Sequence, residues 1–190
     1  MGDTIPSFDE IMEAQNIAIA MQHQHWLHKE LFTFQFWLIL FMLLVPWILW
    51  WKLVDKRRLV EILLYGSLVQ TVVTVIDEVG CQLNLWEYPF DIEPLFPRFI
   101  PANLTVLPIV FMLLYQFIPR WKPYVIMSTL LASVFSFLME PLLSWLGIYK
   151  LFQWKYIYSF PIYIFLFILF KWLMELIKAK QLQVRTRKEP

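Results

Sequence analysis

Cysteine and charge are what this sequence has least of. The single cysteine, Cys81, excludes an internal disulfide and any metal site built from several thiolates. Only 16% of the 190 residues are charged, where soluble domains carry about 25%. A net charge of +1 gives no reason to expect a nucleic-acid partner. There is no Walker loop, dinucleotide fingerprint, Ser-His-Asp order or metalloprotease signature, so nucleotide-driven chemistry and a bound cofactor are not expected. No cleavable signal is expected, because the first long apolar run begins near Leu31, too far into the chain. No internal repeat of the kind many secondary transporters carry is visible.

What the sequence does have is apolar and aromatic. Hydrophobic residues make up 59% of it, among them ten Trp, eight Tyr and seventeen Phe. Apolar runs recur near the length of about 20 residues needed to cross a bilayer as a helix. The expected fold is all-α: a polytopic membrane helical bundle of about five transmembrane helices with an N-terminal amphipathic helix. Residues 1–30 form that amphipathic segment, 31–177 one transmembrane domain, and 178–190 a basic tail that meets anionic lipid.

In the first segment, Ser7 and Glu10 have the spacing of a capping box, and Phe8, Met12, Ile19 and Trp26 share one stripe. That pattern suits a helix lying on the membrane surface. The expected spans are 31–51, 59–79, 104–118, 124–146 and 156–176. Five prolines at 89, 94, 97, 101 and 108 argue against a regular helix or a central strand between spans two and three. Span three is short, so residues 101–103 belong to it or it is kinked at Pro108. With the N-terminus outside, twelve of the sixteen Lys and Arg fall on the inner side, which favours a cytoplasmic C-terminus.

Acidic residues at membrane depth are the candidate chemistry. Span two ends outward with adjacent carboxylates, Asp77 and Glu78, and span four carries Glu140 about two turns before its outer end. Neighbours in a helix point about 100° apart, so at most one of Asp77 and Glu78 faces inward. Gln70 and Thr74, with Ser67 and Thr71, make a polar stripe on span two; Thr129, Ser133 and Ser136 do so on span four. The simplest packing sets these stripes face to face. The outer loops deliver aromatic groups around the acids: Trp86, Tyr88, Tyr149, Trp154 and Tyr158, with Tyr163 one turn deeper. Such a lining is the common form of a small-molecule site.

Plainer roles exist for the same residues. Asp77 and Glu78 can be solvated helix-end charges, the aromatics an interfacial belt, and Gln70 interhelical glue. Glu140 can serve to lock spans four and five through a Tyr, Trp or Ser. His23, His25 and His28 read as surface residues, since only His25 and His28 share a face, and no metal site is expected. Asn103-Leu104-Thr105 matches a glycosylation acceptor but abuts a span.

Several of these motifs together, Asp77-Glu78 with Gly80, Trp86 with Tyr88-Pro89, Tyr115-Gln116, Glu140-Pro141, Gly147 with Tyr149, and Trp154 with Tyr158, Ser159, Pro161 and Tyr163, resemble a family. It is a family of small, uncharacterised multi-pass membrane proteins of endospore-forming bacilli and clostridia, and the resemblance covers roughly residues 55–175. It implies a bacterial plasma membrane and no particular activity. In design, carboxylic acids among aromatics inside a helical bundle are also similar to membrane-embedded terpene cyclases and short lycopene-cyclase domains.

Three functional readings follow. The first is a binding protein with an outward-facing acidic and aromatic pocket for a lipid-like or isoprenoid small molecule. The second is an enzyme of the terpene cyclase type, with Glu140 and Asp77 or Glu78 as acid and electrostatic stabiliser. The third is a proton- or cation-linked transporter subunit. Membrane lipids are expected partners in all three, and each is compatible with a homo-oligomer.

Overall fold

The computed structural model describes residues 5–94 and 99–186. Ser7 caps α1 (Phe8–His25) as its spacing with Glu10 predicts: the Glu10 amide donates to Ser7 Oγ at 3.3 Å, and Glu10 Oε2 accepts from the Ser7 amide at 2.7 Å. Phe8, Met12 and Ile19 are exposed on this helix, and none of its residues is buried. A π-helical turn, Trp26–Glu30, follows. Thr33 then caps α2 (Phe34–Leu53), its hydroxyl accepting from the Phe36 amide.

The remaining helices are α3 (Leu59–Gln82), α4 (Leu107–Phe117), α5 (Trp121–Val134), α6 (Glu140–Trp145) and α7 (Tyr156–Thr186). Two are extended by π-helical turns: Pro101–Val106 leads into α4, and Phe135–Met139 joins α5 to α6. The helix expected as span three therefore begins at Pro101 and continues through Pro108, which falls where the π-helical turn passes into α4. Four helices are long and apolar enough to cross a membrane: Phe34–Leu53, Lys56–Gln82, Trp121–Trp145 and Tyr156–Val184. The helix Pro101–Phe117 is apolar but shorter.

Between α3 and α4 the proline-rich segment is not wholly irregular. Trp86–Glu87 (β1) pairs antiparallel with Lys150–Leu151 (β2), a contact the proline pattern does not foretell. Leu85 O also accepts from the amides of Phe152 and Gln153, so the loops that follow α3 and α6 are stitched together.

The polar stripes of spans two and four do not face each other. The helix α3 lies against α4, and α5 against α7. Large aromatic contacts set this arrangement, because apolar helices in lipid gain mainly from close packing and not from leaving water. Tyr65 stacks on Tyr115 at 4.5 Å and Phe111 on Phe167 at 3.7 Å, while Gly66 gives Met112 room against α3. Ser67 and Thr71 are left exposed, and Thr71, Thr129 and Ser133 bond back to carbonyls of their own helices. Phe41, Ile126, Phe165 and Trp172 are among many large apolar side chains exposed on the exterior, as a lipid-facing surface requires.

The end of the bundle away from the paired strands is more polar than its sequence suggests. Lys171, 1% exposed, donates to the carbonyls of Ile118 (3.1 Å) and Pro119 (2.7 Å) in the α4–α5 turn and lies 4.2 Å above the Tyr124 ring. Glu61 accepts from Arg58, Tyr115 and Lys178, tying α3 to α4 and α7. The residues counted as a tail from 178 onward continue α7 as far as Thr186.

Candidate functional site

The site begins with the orientation of three helices and a roof. On α3, Asp77 and Gly80 share the inward face with Val73. Gly80 is needed there for a close approach: a Cβ added to it would meet the Trp86 ring at 2.1 Å. With no side chain in the way, the Trp86 indole packs against α3 at Gly80 and donates from Nε1 to Asp77 Oδ1 at 2.9 Å. The Tyr88 hydroxyl donates to the same oxygen at 2.7 Å, and the Asn103 side-chain amide to Oδ2 at 2.7 Å. Three donors from two other segments thus converge on one buried carboxylate, which accounts for its position at membrane depth.

Glu140 sits where the π-helical turn passes into α6, and Ser159 Oγ (3.0 Å) and the Tyr163 hydroxyl (3.1 Å) of α7 both donate to it. This is the locking role open to it from sequence, made by one Ser and one Tyr. Trp154 Nε1 donates in turn to Ser159 Oγ at 3.0 Å.

Asp77 and Glu140 line one cavity of about 430 Å³, within the range of small-molecule sites. Leu38 and Met42 of α2, Phe135 of the π-helical turn, Leu142 and Leu143 of α6, and Leu146 just past it supply much of the apolar wall. Aromatic rings close the outer side. Tyr88 stacks between Phe99 (4.4 Å) and Tyr149 (5.3 Å), and Trp86 meets Trp154 edge-on at 5.1 Å. Burial pushes the hydroxyls of Tyr88 and Tyr149 above the usual tyrosine range, with the nearby acids adding to the shift, so both are neutral at physiological pH.

The roof over this cavity is anchored by the N-terminal segment. Trp26 Nε1 donates to Asp91 O (3.2 Å), and the Asp91 amide donates to Glu30 Oε2 (3.0 Å). Glu30 is buried, and this desolvation pushes its carboxyl above the ordinary range despite the Asp91 amide and His25 nearby. His25 Nε2 lies 3.7 Å from Glu30 Oε1, so His25 has a partner on the π-helical turn.

Of the residues singled out from sequence, Asp77, Glu140, Trp86, Tyr88, Tyr149, Trp154 and Tyr163 come together around the cavity. Glu78 does not: it turns away from the lining and accepts from Gln82 Nε2 at 2.9 Å, as the 100° step between neighbours requires. Gln70 and Thr74 lie on α3 outside the lining, and the Thr74 hydroxyl is buried without a hydrogen-bond partner. Tyr158 is 45% exposed and touches only the outer edge of the site through the Trp154 ring.

Asn103 and Ser159 are cavity residues bonded to the two acids that the sequence reading did not single out for the site. Asn103 is 4% exposed and Thr105 is fully buried, so the apparent glycosylation acceptor is closed to a glycan and instead holds Asp77. The available signal was a buried-amide pattern, an Asn one turn into an apolar helix at the depth of an unpaired acid. No protein-family model, curated protein or solved structure matches this chain.

Proposed function

We propose that this chain is an integral membrane protein whose outward-facing cavity binds a lipid-like or isoprenoid amphiphile. One observation carries the reading: a single cavity of about 430 Å³ joins Asp77 and Glu140, drawn from different helices, inside walls that apart from Asn103 and Ser159 are apolar and aromatic. In this account Pro101–Phe117 is the fifth membrane-crossing helix, shortened where the outer loops roof it. The N-terminus is outside, the C-terminus cytoplasmic, and α1 rests on the outer surface of a bacterial plasma membrane. The charge distribution supports that orientation, with Arg58, Lys171 and Lys178 gathered at the end opposite the cavity.

The shape of the site also favours access from the bilayer. Ile76 and Leu142 line the cavity and are 38% and 42% exposed, so its wall is continuous with the apolar exterior. A transporter subunit is supported less well. Between the Tyr65–Tyr124 pair and Asp77, α3 turns Val69 and Val73 inward, and the buried Thr74 hydroxyl stands there without a hydrogen-bond partner to continue a polar path. An acid-catalysed isoprenoid cyclase remains the second reading, with Glu140 as acid and the Trp86, Tyr149 and Trp154 rings as cation-stabilising walls. Turnover of a polyprenyl substrate, absent from Glu140→Gln, would favour it.

The test of binding is lipid extraction and mass spectrometry of purified protein, wild type beside Leu143→Trp, which fills the cavity. A specific amphiphile present in the wild type and depleted in the variant supports the reading. Identical bulk phospholipid in both, with equal thermal stability, overturns it.

A further inference from the structure

The cavity offers acceptors and almost no donors. An ionised carboxylate has about four acceptor sites. Asp77 receives three donors and Glu140 two, which leaves about one site on the first and two on the second. The indole of Trp86 and the hydroxyls of Tyr88, Tyr163 and Ser159 already point at these acids, so they are turned away from a ligand's oxygen atoms. Only the Tyr149 hydroxyl in this set has no acid partner. Among the described residues, no Lys, Arg or His lines the cavity. A phosphate or carboxylate head would meet two acids, the Tyr149 hydroxyl and an Asn103 amide already turned to Asp77, with no counter-charge among the described lining residues.

We propose that the ligand is a cationic amphiphile: a protonated primary amine seated between Asp77 and Glu140, with its hydrocarbon tail along α2 and α6. The inference rests on the reading of the cavity as an amphiphile site and adds the chemistry of the head group. An ammonium carries three donors and no acceptor, which matches the acceptor sites left open on the two acids. Tyr149 lines the same cavity as Asp77 and Glu140, so the two carboxylates and this ring bound one space. Trp86, Trp154 and Tyr149 put aromatic rings beside that region, and ring faces attract a desolvated cation. The tail of the ligand would replace lipid contacts with Leu38, Met42, Leu142 and Leu146. The described lining favours an ammonium head over a diphosphate head on the same isoprenoid tail.

The experiment measures equilibrium binding of tritiated farnesylamine, farnesol and farnesyl diphosphate to the full chain in zwitterionic nanodiscs, with empty nanodiscs as the blank. One tail with three heads separates head-group recognition from simple partitioning. The expected result is saturable binding of the amine at least about tenfold tighter than the alcohol, with no saturable binding of the diphosphate. Glu140→Gln should weaken the amine about tenfold or more, the scale of one lost charge-assisted contact, and leave the alcohol nearly unchanged. Farnesol or the diphosphate binding as tightly as the amine overturns the amine assignment and leaves the amphiphile site standing. Saturable binding of none of the three, in protein that retains its wild-type thermal transition, overturns both. An affinity for the amine unchanged in both Glu140→Gln and Asp77→Asn also overturns the assignment.

Discussion

Replacing Gly80 with alanine tests the architecture of the site at its tightest point. The new methyl group would lie 2.1 Å from Cζ2 and 2.3 Å from Cη2 of Trp86, far inside contact distance. The indole is a rigid ring fixed by its Asp77 hydrogen bond and by Trp154, so it must move as a whole. Overpacking costs about 1–3 kcal/mol, and losing the indole's bond to the acid about 1.5–3 kcal/mol. Against these, alanine gains up to about 1 kcal/mol in a helix interior. The net is a destabilisation of about 1.5–5 kcal/mol.

Gly66→Ala is the matched control. There the added Cβ would meet Met112 Sδ at 2.5 Å, but that contact is the adaptable end of a thioether chain. Its cost should stay below about 1 kcal/mol. Both variants can be read by thermal unfolding in detergent with a thiol-reactive fluorogenic maleimide. Cys81 is the chain's one thiol, is 5% exposed and is adjacent to Gly80. Gly80→Ala should lower the transition and expose Cys81 early, while Gly66→Ala follows the wild type. A transition for Gly80→Ala at or above that of the wild type would refute the packing of Trp86 on α3.

Three further expectations can be checked with the same protein. Asp77→Asn keeps size but turns an amide nitrogen toward donors, which should cost about 1.5–3 kcal/mol by thermal unfolding, whereas Glu78→Gln should be nearly silent. Lys171→Met strips the Ile118 and Pro119 carbonyls of their donor and should cost about 1–3 kcal/mol, with faster proteolysis at the α4–α5 turn. Glu30 has a folded-state pKa above its ordinary 4.5, so its protonated form is the one the fold favours. Its contribution is then fully present below pH 4.5 and fades as pH rises through the shifted value. Unfolding measured across this range should show a fall in stability with rising pH that Glu30→Gln removes.

What could be read from sequence was what depends on near neighbours in the chain. The Ser7–Glu10 cap, the apolar spans and the divergence of Asp77 from Glu78 all follow from helix geometry over one or two turns. That the outer acids and aromatics would meet also followed, because spans running the same way place Asp77 and Glu140 at one depth. The failures concern pairing across the chain. Polar stripes on spans two and four suggested an interface, yet Tyr65, Tyr115, Phe111 and Phe167 stack better and decide which helices touch. Lys171 falls inside the expected span 156–176, and nothing in its own helix's sequence announces the two carbonyls that the α4–α5 turn brings to it. Asn103 looks like a sequon until Asp77 arrives from α3, and no pattern local to either residue records that partnership. The β1–β2 pair joins segments some sixty residues apart, beyond the reach of any alternation rule.

The central claim is that the cavity bounded by Asp77 and Glu140 holds an amphiphile drawn from the bilayer. Photocrosslinking tests it most directly, using a long-chain alkylamine with a mid-chain diazirine and peptide mapping of the labelled protein. The account predicts labels on cavity-lining segments, around Leu38–Met42, Phe135–Leu146 and Tyr149–Tyr163, competed by unlabelled amine and lost in Leu143→Trp. Labels confined to the lipid-facing exterior, at positions such as Phe41, Ile126 and Phe165, and insensitive to competitor, would contradict it.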